Sequence, residues 1–319
     1  MTAHDAQNPT FSKPAELLDR ERTGHKGTFG TVLVIGGCAH APRHMLGGVM
    51  LAARGALRVG AGRVVAAVPA PLANDALVLL PEATVVPLPV DADGAILAAE
   101  SAESIDAALS GIDAIVIGPA LGRSLGAAQV VMRLASLGDR PLVIDADAIR
   151  AFASHREAAL DLRGTVIFTP HPGEALVLAE ALGLEIDCVE RGTRPSAAMQ
   201  LAQRLGAVVV LKGAGTVTSD GLRAWRCDRG GPALATGGSG DVLAGIAGGL
   251  FAQFAVRGRT TANEPAQAAQ LPGAVAALAV EIHAHAGDLW ARAHGDAGLL
   301  AHEIADLVPD ALHAFRQKS

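Results

Sequence analysis

Lysine is scarce in this chain: four occur in 319 residues, and the formal net charge is -6. That leaves no basic face for a nucleic-acid backbone or an anionic membrane surface, so neither is an expected partner. Cysteine is also scarce. Cys38, Cys188 and Cys227 are odd in number and widely spaced, with no C-x-x-C pair, which argues against a disulfide framework or zinc knuckle and for a reducing compartment. No segment reaches the ~20 uninterrupted apolar residues of a membrane span, and residues 1 to 24 lack an apolar run with a cleavage site. The expected location is the cytoplasm.

Several catalytic signatures are missing as well. There is no G-x-S-x-G elbow and no G-x-x-x-x-G-K-[ST] loop, which sets aside serine hydrolases and P-loop enzymes. His302-Glu303-Ile304-Ala305-Asp306 lacks the second histidine of a zinc-protease motif. His283 and His285, two apart in an apparent helix over 274–294, face different directions and cannot share a metal.

What the chain does have is apolar residues (50%) and 37 glycines, enough for a large core with many tight turns. Short β-branched runs alternate with alanine-rich stretches, the pattern of a layered α/β sandwich with a mostly parallel sheet. Strands are expected over Thr31 to Ile35, Arg63 to Val68, Ala114 to Ile117, Leu142 to Ile144, Thr165 to Phe168, Val208 to Leu211 and Gly215 to Ser219. With no internal repeat and no second core, the simplest parse is a polar leader or docking arm over residues 1–24 and one domain over 25–319. Residues Arg257 to Gly273 read as a surface loop between two helices.

In open parallel sheets ligands bind beyond the carboxyl ends of the strands, so the turns there carry the candidate chemistry. The most informative is Thr236-Gly237-Gly238-Ser239-Gly240-Asp241, a glycine-rich turn that ends in a carboxylate and runs into an apolar helix. Glycines let the backbone approach an anion, and the amides of a helix start point at it. Asp241 then stands where a hydroxyl meeting that phosphate loses its proton. Other candidates are Gly36-Gly37, Gly118-Pro119-Ala120-Leu121-Gly122, Asp145-Ala146-Asp147, Thr169-Pro170-His171-Pro172-Gly173-Glu174 and Lys212-Gly213-Ala214-Gly215-Thr216. Asp145 and Asp147 either orient a magnesium shell through water or cap the next helix. Glu174 is a second acidic candidate or a dipole partner in the first turn of its helix. Lys26, in Gly24-His25-Lys26-Gly27, is either an anion contact of the same site or a solvated loop lysine. Gly55 to Gly62 lacks the third glycine of a dinucleotide fingerprint and reads as a helix-to-strand turn.

Taken in order from His25 to about Pro309, these motifs resemble the ADP-dependent NAD(P)H-hydrate dehydratases of the ribokinase-like superfamily. Vitamin-precursor kinases of that superfamily commonly carry Asn where this chain has His171, which favours the dehydratase branch. The resemblance implies a ribokinase-like three-layer αβα sandwich with a mostly parallel central sheet. It implies a nucleotide-dependent lyase that phosphorylates the ring hydroxyl of an NADH or NADPH hydrate and eliminates phosphate. By the same resemblance Lys212, Gly213, Ala214, Gly215, Thr216 and Gly240 contact ADP (or ATP). Gly48, Gly118, Ala120, Gly122, His171 and Asp241 face the hydrated substrate. Asp241 is then the base, Gly238, Ser239 and Gly240 the phosphoryl cradle, and Glu174 and Asp145 the holders of Mg2+ through water. The sequence departs from the family pattern at Met45-Leu46-Gly47-Gly48, usually an aromatic residue followed by Gly-Ala, and at Ala120, usually Gly. Family members often carry a fused N-terminal epimerase domain, which the 24-residue leader cannot hold, so a separate epimerase is the expected partner, along with assembly as a homo-oligomer, a tetramer being one form. The competing readings are a small-molecule kinase of the same fold, of hydroxymethylpyrimidine or thiazole type, and a non-catalytic nucleotide sensor.

Overall fold

A computed structural model describes residues 12–155, 157–260 and 271–317. Nine strands form one sheet in the order β3-β2-β1-β4-β5-β6-β7-β8-β9. They are β1 Thr31–Ile35, β2 Arg63–Pro69, β3 Thr84–Leu88, β4 Ala114–Ile117, β5 Leu142–Ile144, β6 Val166–Phe168, β7 Val208–Leu211, β8 Val217–Ser219 and β9 Ala224–Arg226. The pairings are parallel from β3 through β7, and β8 and β9 add on antiparallel. The three-layer sandwich with a mostly parallel sheet is therefore as expected, with two additions. Residues 84–88 carry a proline and partly exposed valines, a weak strand signal that an edge position tolerates. Ala224–Arg226 is too short to register as a run and exists through its antiparallel pairing to β8.

The strands alternate strictly between two apolar layers. Val32, Val34, Ala114, Val116, Val143, Ile167, Val208 and Val210 face one layer, while Leu33, Ile35, Ile115, Ile117, Ile144, Phe168 and Leu211 face the other. The layer over the first face holds α1 Gly47–Arg58, α2 Ala73–Leu79 and the long C-terminal helices. The layer over the second holds α3 Ala98–Ala108, α4 Leu125–Ala135, α5 Asp147–Ala153, α6 Ala158–Asp161, α7 Pro172–Ala181 and α8 Arg194–Leu205. Three helices complete the first layer: α9 Ser239–Thr260, α10 Pro272–His294 and α11 Ala301–Arg316.

Small strand residues on the first face let α9 come unusually close. A Cβ on Gly248 would lie 2.3 Å from Val116 Cγ2, and one on Gly249 2.4 Å from Val59 Cγ1. Against α1 the contact is backbone to backbone: a Cβ on Gly245 would stand 1.9 Å from the Ala52 carbonyl oxygen, and one on Gly55 2.7 Å from that of Val242. Glycine inside a helix costs about 1 kcal/mol relative to alanine, and here that cost is the condition for the two helices to touch. Ser239–Arg259 is long and apolar enough to cross a membrane by length and composition, yet 67% of it is buried, as befits the core helix it is here.

The segment 12–24 lies along this helical layer without regular structure. The amide of Ser12 donates to Ala224 O, that of Ala15 to Ala274 O, and Trp225 Nε1 to Lys13 O. Arg20 donates to Gly60 O and stacks 3.6 Å over the Phe29 ring. The expected surface loop over 257–273 is corrected at both ends. Arg257 to Thr260 extend α9, and Pro272-Gly273 open α10, with proline in a first-turn position that needs no amide hydrogen. Residues 261–270 lie outside the described residues.

Replacing Gly245 with alanine is expected to destabilise the protein by ~2–4 kcal/mol, because its methyl group meets backbone that cannot rotate away. Thermal unfolding of the variant beside the parent checks this, and an unchanged midpoint would show that α1 and α9 separate freely.

Candidate active site

Exits of β1, β4, β5, β6 and β7 and the start of α9 come together at the carboxyl edge of the sheet. Gly36 follows β1 with no room for a side chain, since its Cβ would be 2.1 Å from Pro119 O, and the Gly37 amide donates to that same oxygen. The Gly118–Gly122 turn is thus laid on the β1 exit. Its far end is tied by the Gly122 amide donating to Asp147 Oδ2 at 3.0 Å, so Asp147 fastens a loop and does not cap α5. Ala120 in that turn has φ 56, a left-handed conformation that costs an alanine about 1–2 kcal/mol. The Ala120 methyl and Asp241 Oδ2 lie 3.2 and 3.0 Å from where a Cβ on Gly48 would be. A side chain at Gly48 would fill the space these two groups border.

On the other side of Asp241 lies a charged cluster around one lysine. Lys212, at the end of β7, donates through Nζ to Asp145 Oδ1 at 2.8 Å and stands 4.0 Å from Glu174 Oε2. Thr169 Oγ1 donates to the same Asp145 oxygen at 2.7 Å. Burial works against the Lys212 ammonium, but Asp145, Glu174 and Asp241 outweigh it and hold its pKa above the ordinary lysine value. Asp241 is pushed the other way. Removal from solvent, with the Asp145 carboxylate adding to it, raises its pKa to about 7 against the pull of Lys212; Glu174 and Asp147 contribute further.

Glu174 and His171 brace each other at the start of α7. His171 Nδ1 accepts from the amides of Gly173 and Glu174, while the His171 amide donates to Glu174 Oε2 at 2.9 Å. Because Nδ1 is an acceptor, the ring proton sits on Nε2, which lies 3.3 Å from Glu174 Oε1.

A cavity of about 630 Å³ opens from this cluster, bounded by the 212–216 loop, by Gly230 to Leu234, by Gly238 to Asp241 and by α10. Gly213 (φ 141) and Gly215 (φ 72) shape the loop, and Thr216 closes it by donating through Oγ1 to Gly213 O. Arg194, buried on α8, donates to Ala214 O at 2.7 Å and to Cys188 O at 3.1 Å and so supports the loop from behind. At the α9 start Gly238 has φ 90, and the Gly240 backbone passes close to Lys212, whose Nζ would be 3.1 Å from a Cβ there. The amide of Ser239 turns back to Thr236 O at 3.3 Å.

The structure therefore gathers Asp241, Gly238, Ser239, Gly240, Lys212, Gly213, Ala214, Thr216, His171, Glu174 and Asp145 around one cavity. Gly48 and Ala120 border the opposite side of Asp241, and Gly118 and Gly122 anchor the turn behind them. Gly215 points elsewhere, its missing Cβ 3.1 Å from Arg191 Nε. Among the described residues no three His, Cys, Asp or Glu side chains converge as a metal-ligand set. Lys26 does not join the site. It precedes β1, and its carbonyl packs on Gly62 just before β2, at the amino edge of a parallel sheet. Gly60 (φ 110) beside it is the helix-to-strand turn expected there. Arg194, whose role as a loop support is clear from its contacts, escapes the sequence reading: it opens α8 among other polar residues, a signal that does not distinguish a loop support from a surface position.

The family model for NAD(P)H-hydrate dehydratase matches residues 32–310. An ADP-dependent (S)-NAD(P)H-hydrate dehydratase of Xanthomonas campestris is 37% identical over 290 residues, covering 91% of this chain and 90% of that one. A bifunctional NAD(P)H-hydrate repair enzyme of Moorella thermoacetica is 34% identical over 306 residues, 95% of this chain but 53% of its own length. The chain spans about half the length of such bifunctional relatives. Among solved structures, the ADP/ATP-dependent NAD(P)H-hydrate dehydratase of Bacillus subtilis, co-crystallised with ATP and Mg2+, superposes with a TM-score of 0.73 at 29% identity, covering 97% of this chain and all of that one.

Because Asp241 titrates near 7 when folded and near 4 when unfolded, the folded state holds the extra proton between those values, and stability falls as pH rises through that window. Asp241→Asn removes this component. Its stability advantage over the parent is expected to be small at pH 4 and to grow to ~1–4 kcal/mol at pH 8, read by denaturant unfolding at both. A pH-independent difference would remove the raised pKa.

Proposed function

The chain belongs to the NAD(P)H-hydrate dehydratase family of ribokinase-like proteins, and from that premise we propose that it restores NADH and NADPH from their (S)-hydrates, with ADP or ATP as phosphoryl donor. The observation that carries this reading is Asp241, a carboxylate with a pKa of about 7 standing between a glycine-lined substrate side and the cavity that takes the nucleotide. A base with that pKa is half ionised at neutral pH, where proton removal is most effective.

In the hydrate the hydroxyl sits on the ring carbon next to the nitrogen and leaves poorly. Gly48 and Ala120 border the space that places this hydroxyl against Asp241. Asp241 takes its proton as the oxygen bonds to the terminal phosphorus and the phosphorus–oxygen bond to the rest of the nucleotide breaks. Gly238, Gly240 and the Ser239 hydroxyl hold the phosphoryl oxygens, and the Lys212 ammonium, kept charged by its carboxylates, offsets the negative charge. The ring nitrogen then expels phosphate, and loss of a proton from the neighbouring carbon restores the double bond. Asp145 and Glu174 flank Lys212 and offer two carboxylates, which suits Mg2+ held mainly by phosphate and water; when bound it neutralises phosphate charge. The 212–216 loop and the wall of α10 take the adenine nucleotide.

The same reading makes residues 25–319 the catalytic domain, with the segment before it an arm of which residues 12–24 pack on that domain, and makes an NAD(P)H-hydrate epimerase a partner. It places a homo-oligomeric enzyme in the cytoplasm, where three free cysteines are at home.

The deciding experiment follows absorbance at 340 nm after mixing protein, hydrated NADH, Mg2+ and ADP or ATP. A nucleotide-dependent rise is expected; a phosphorylated small alcohol as product would mean a kinase instead. Asp241→Asn is expected to lower turnover by about 10²–10⁴-fold while nucleotide still binds, and retained activity would take the base role from Asp241. The kcat/KM of the parent should rise with pH and level off above an apparent pKa near 7. Excess chelator should abolish turnover, and undiminished activity would exclude the metal.

A further inference from the structure

One buried polar group on the cavity wall has no part in the chemistry above. His283, inward-facing on α10 and only 7% exposed, lies with Nε2 3.0 Å from the Ser239 carbonyl oxygen and 3.2 Å from Ser239 Oγ. A carbonyl oxygen only accepts, so the ring proton must be on Nε2. The same N–H then faces the hydroxyl oxygen, which accepts a share of it. Ser239 is left with its own hydroxyl proton free to turn into the cavity. The ring cannot take a second proton and reverse this arrangement near neutral pH, because burial, with the nearby Lys212 charge in support, brings its pKa down to about 4.

We propose that His283 is a positioning residue that fixes the first turn of α9 for the terminal phosphate of the nucleotide and orients the Ser239 hydroxyl as a donor to it. The inference rests on the reading of the Gly238–Asp241 turn as a phosphoryl cradle. It separates two parts of the nucleotide site. The 212–216 loop is held by Arg194 and Thr216 and does not depend on His283. Only the cradle does. His283 thus governs how tightly the enzyme holds a nucleoside diphosphate over the corresponding monophosphate.

The test is calorimetric titration of the parent, His283→Leu and His283→Gln with AMP and with ADP in the presence of Mg2+, alongside thermal unfolding. Leu matches the ring in bulk but has no donor; the Gln amide nitrogen reaches close to the position of Nε2. The parent is expected to bind ADP more tightly than AMP. His283→Leu should lose about ten-fold or more in ADP affinity with AMP affinity unchanged, the size of one charge-assisted hydrogen bond, and His283→Gln should regain most of it. Should the Leu variant not fold, His283→Asn takes its place, since its shorter amide stops short of Ser239. Equal losses for AMP and ADP would reduce His283 to a packing residue and overturn the proposal, as would an ADP preference that survives in Leu or Asn or fails to return in Gln. A parent that binds ADP no better than AMP would instead overturn the cradle reading itself, and this proposal with it.

Discussion

Everything at the site depends on how closely α1 and α9 approach each other. Asp241, the base in the proposed reaction, comes from the first turn of α9, and Gly48, which borders it, comes from the first turn of α1. Two helices with ordinary side chains at their contact lie about 8–10 Å apart. Here Gly55 and Gly245 let backbone meet backbone, and Gly248 lets α9 settle against Val116 of the sheet. The result is that Asp241 reaches the place where a Gly48 side chain would have been. Alanine in the strands and helices of this layer serves the same end, keeping the space between sheet and helices thin.

A second constraint is electrostatic. Asp241 is largely withdrawn from water, and the carboxylates of Asp145, Glu174 and Asp147 and the Lys212 ammonium all act on it. Lys212 is committed to Asp145 by a direct hydrogen bond, and Asp145 is further occupied by Thr169. Asp147 accepts from the Gly122 amide and pairs with Arg123, and one oxygen of Glu174 accepts from the His171 amide. The pKa of Asp241 is raised to about 7. A stability cost at neutral pH is thereby concentrated on the group proposed as the base, an arrangement common where burial and like charges serve proton transfer.

The backbone shows the same concentration. Ala120 and Ala146 are the non-glycine residues with positive φ among those described, and both lie in loops at the carboxyl edge of the sheet. Their neighbours hold them there: Gly36 and Gly37 grip Pro119 from one side, and Gly118 presses on the Asp145 carbonyl from the other. Strain of this kind persists only where the surroundings over-determine it, which the packed strand exits do.

Strand periodicity, the glycine-rich turns and their order along the chain were sufficient to establish the layered α/β class, seven of the nine strands and the family. These features are local: alternation of apolar residues needs no partner to be seen, and a turn that must admit an anion is written in glycine. Of the cavity lining, the sequence also supplied the strand exits and the turn before α9, because the parallel sheet sends successive turns to one edge, but not Arg229 to Leu234 or the face of α10. It did not tell that edge from the opposite one for Lys26, since a turn before a strand and a turn after it have the same composition. Nor did it show that Asp147 fastens a loop, that Arg194 stands behind the 212–216 loop and His283 against Ser239, or that the pKa of Asp241 is raised. Those are properties of distances between residues far apart in the chain, 20 positions for Arg194 and Ala214 and 44 for Ser239 and His283, and only the packing of helices on the finished sheet sets them.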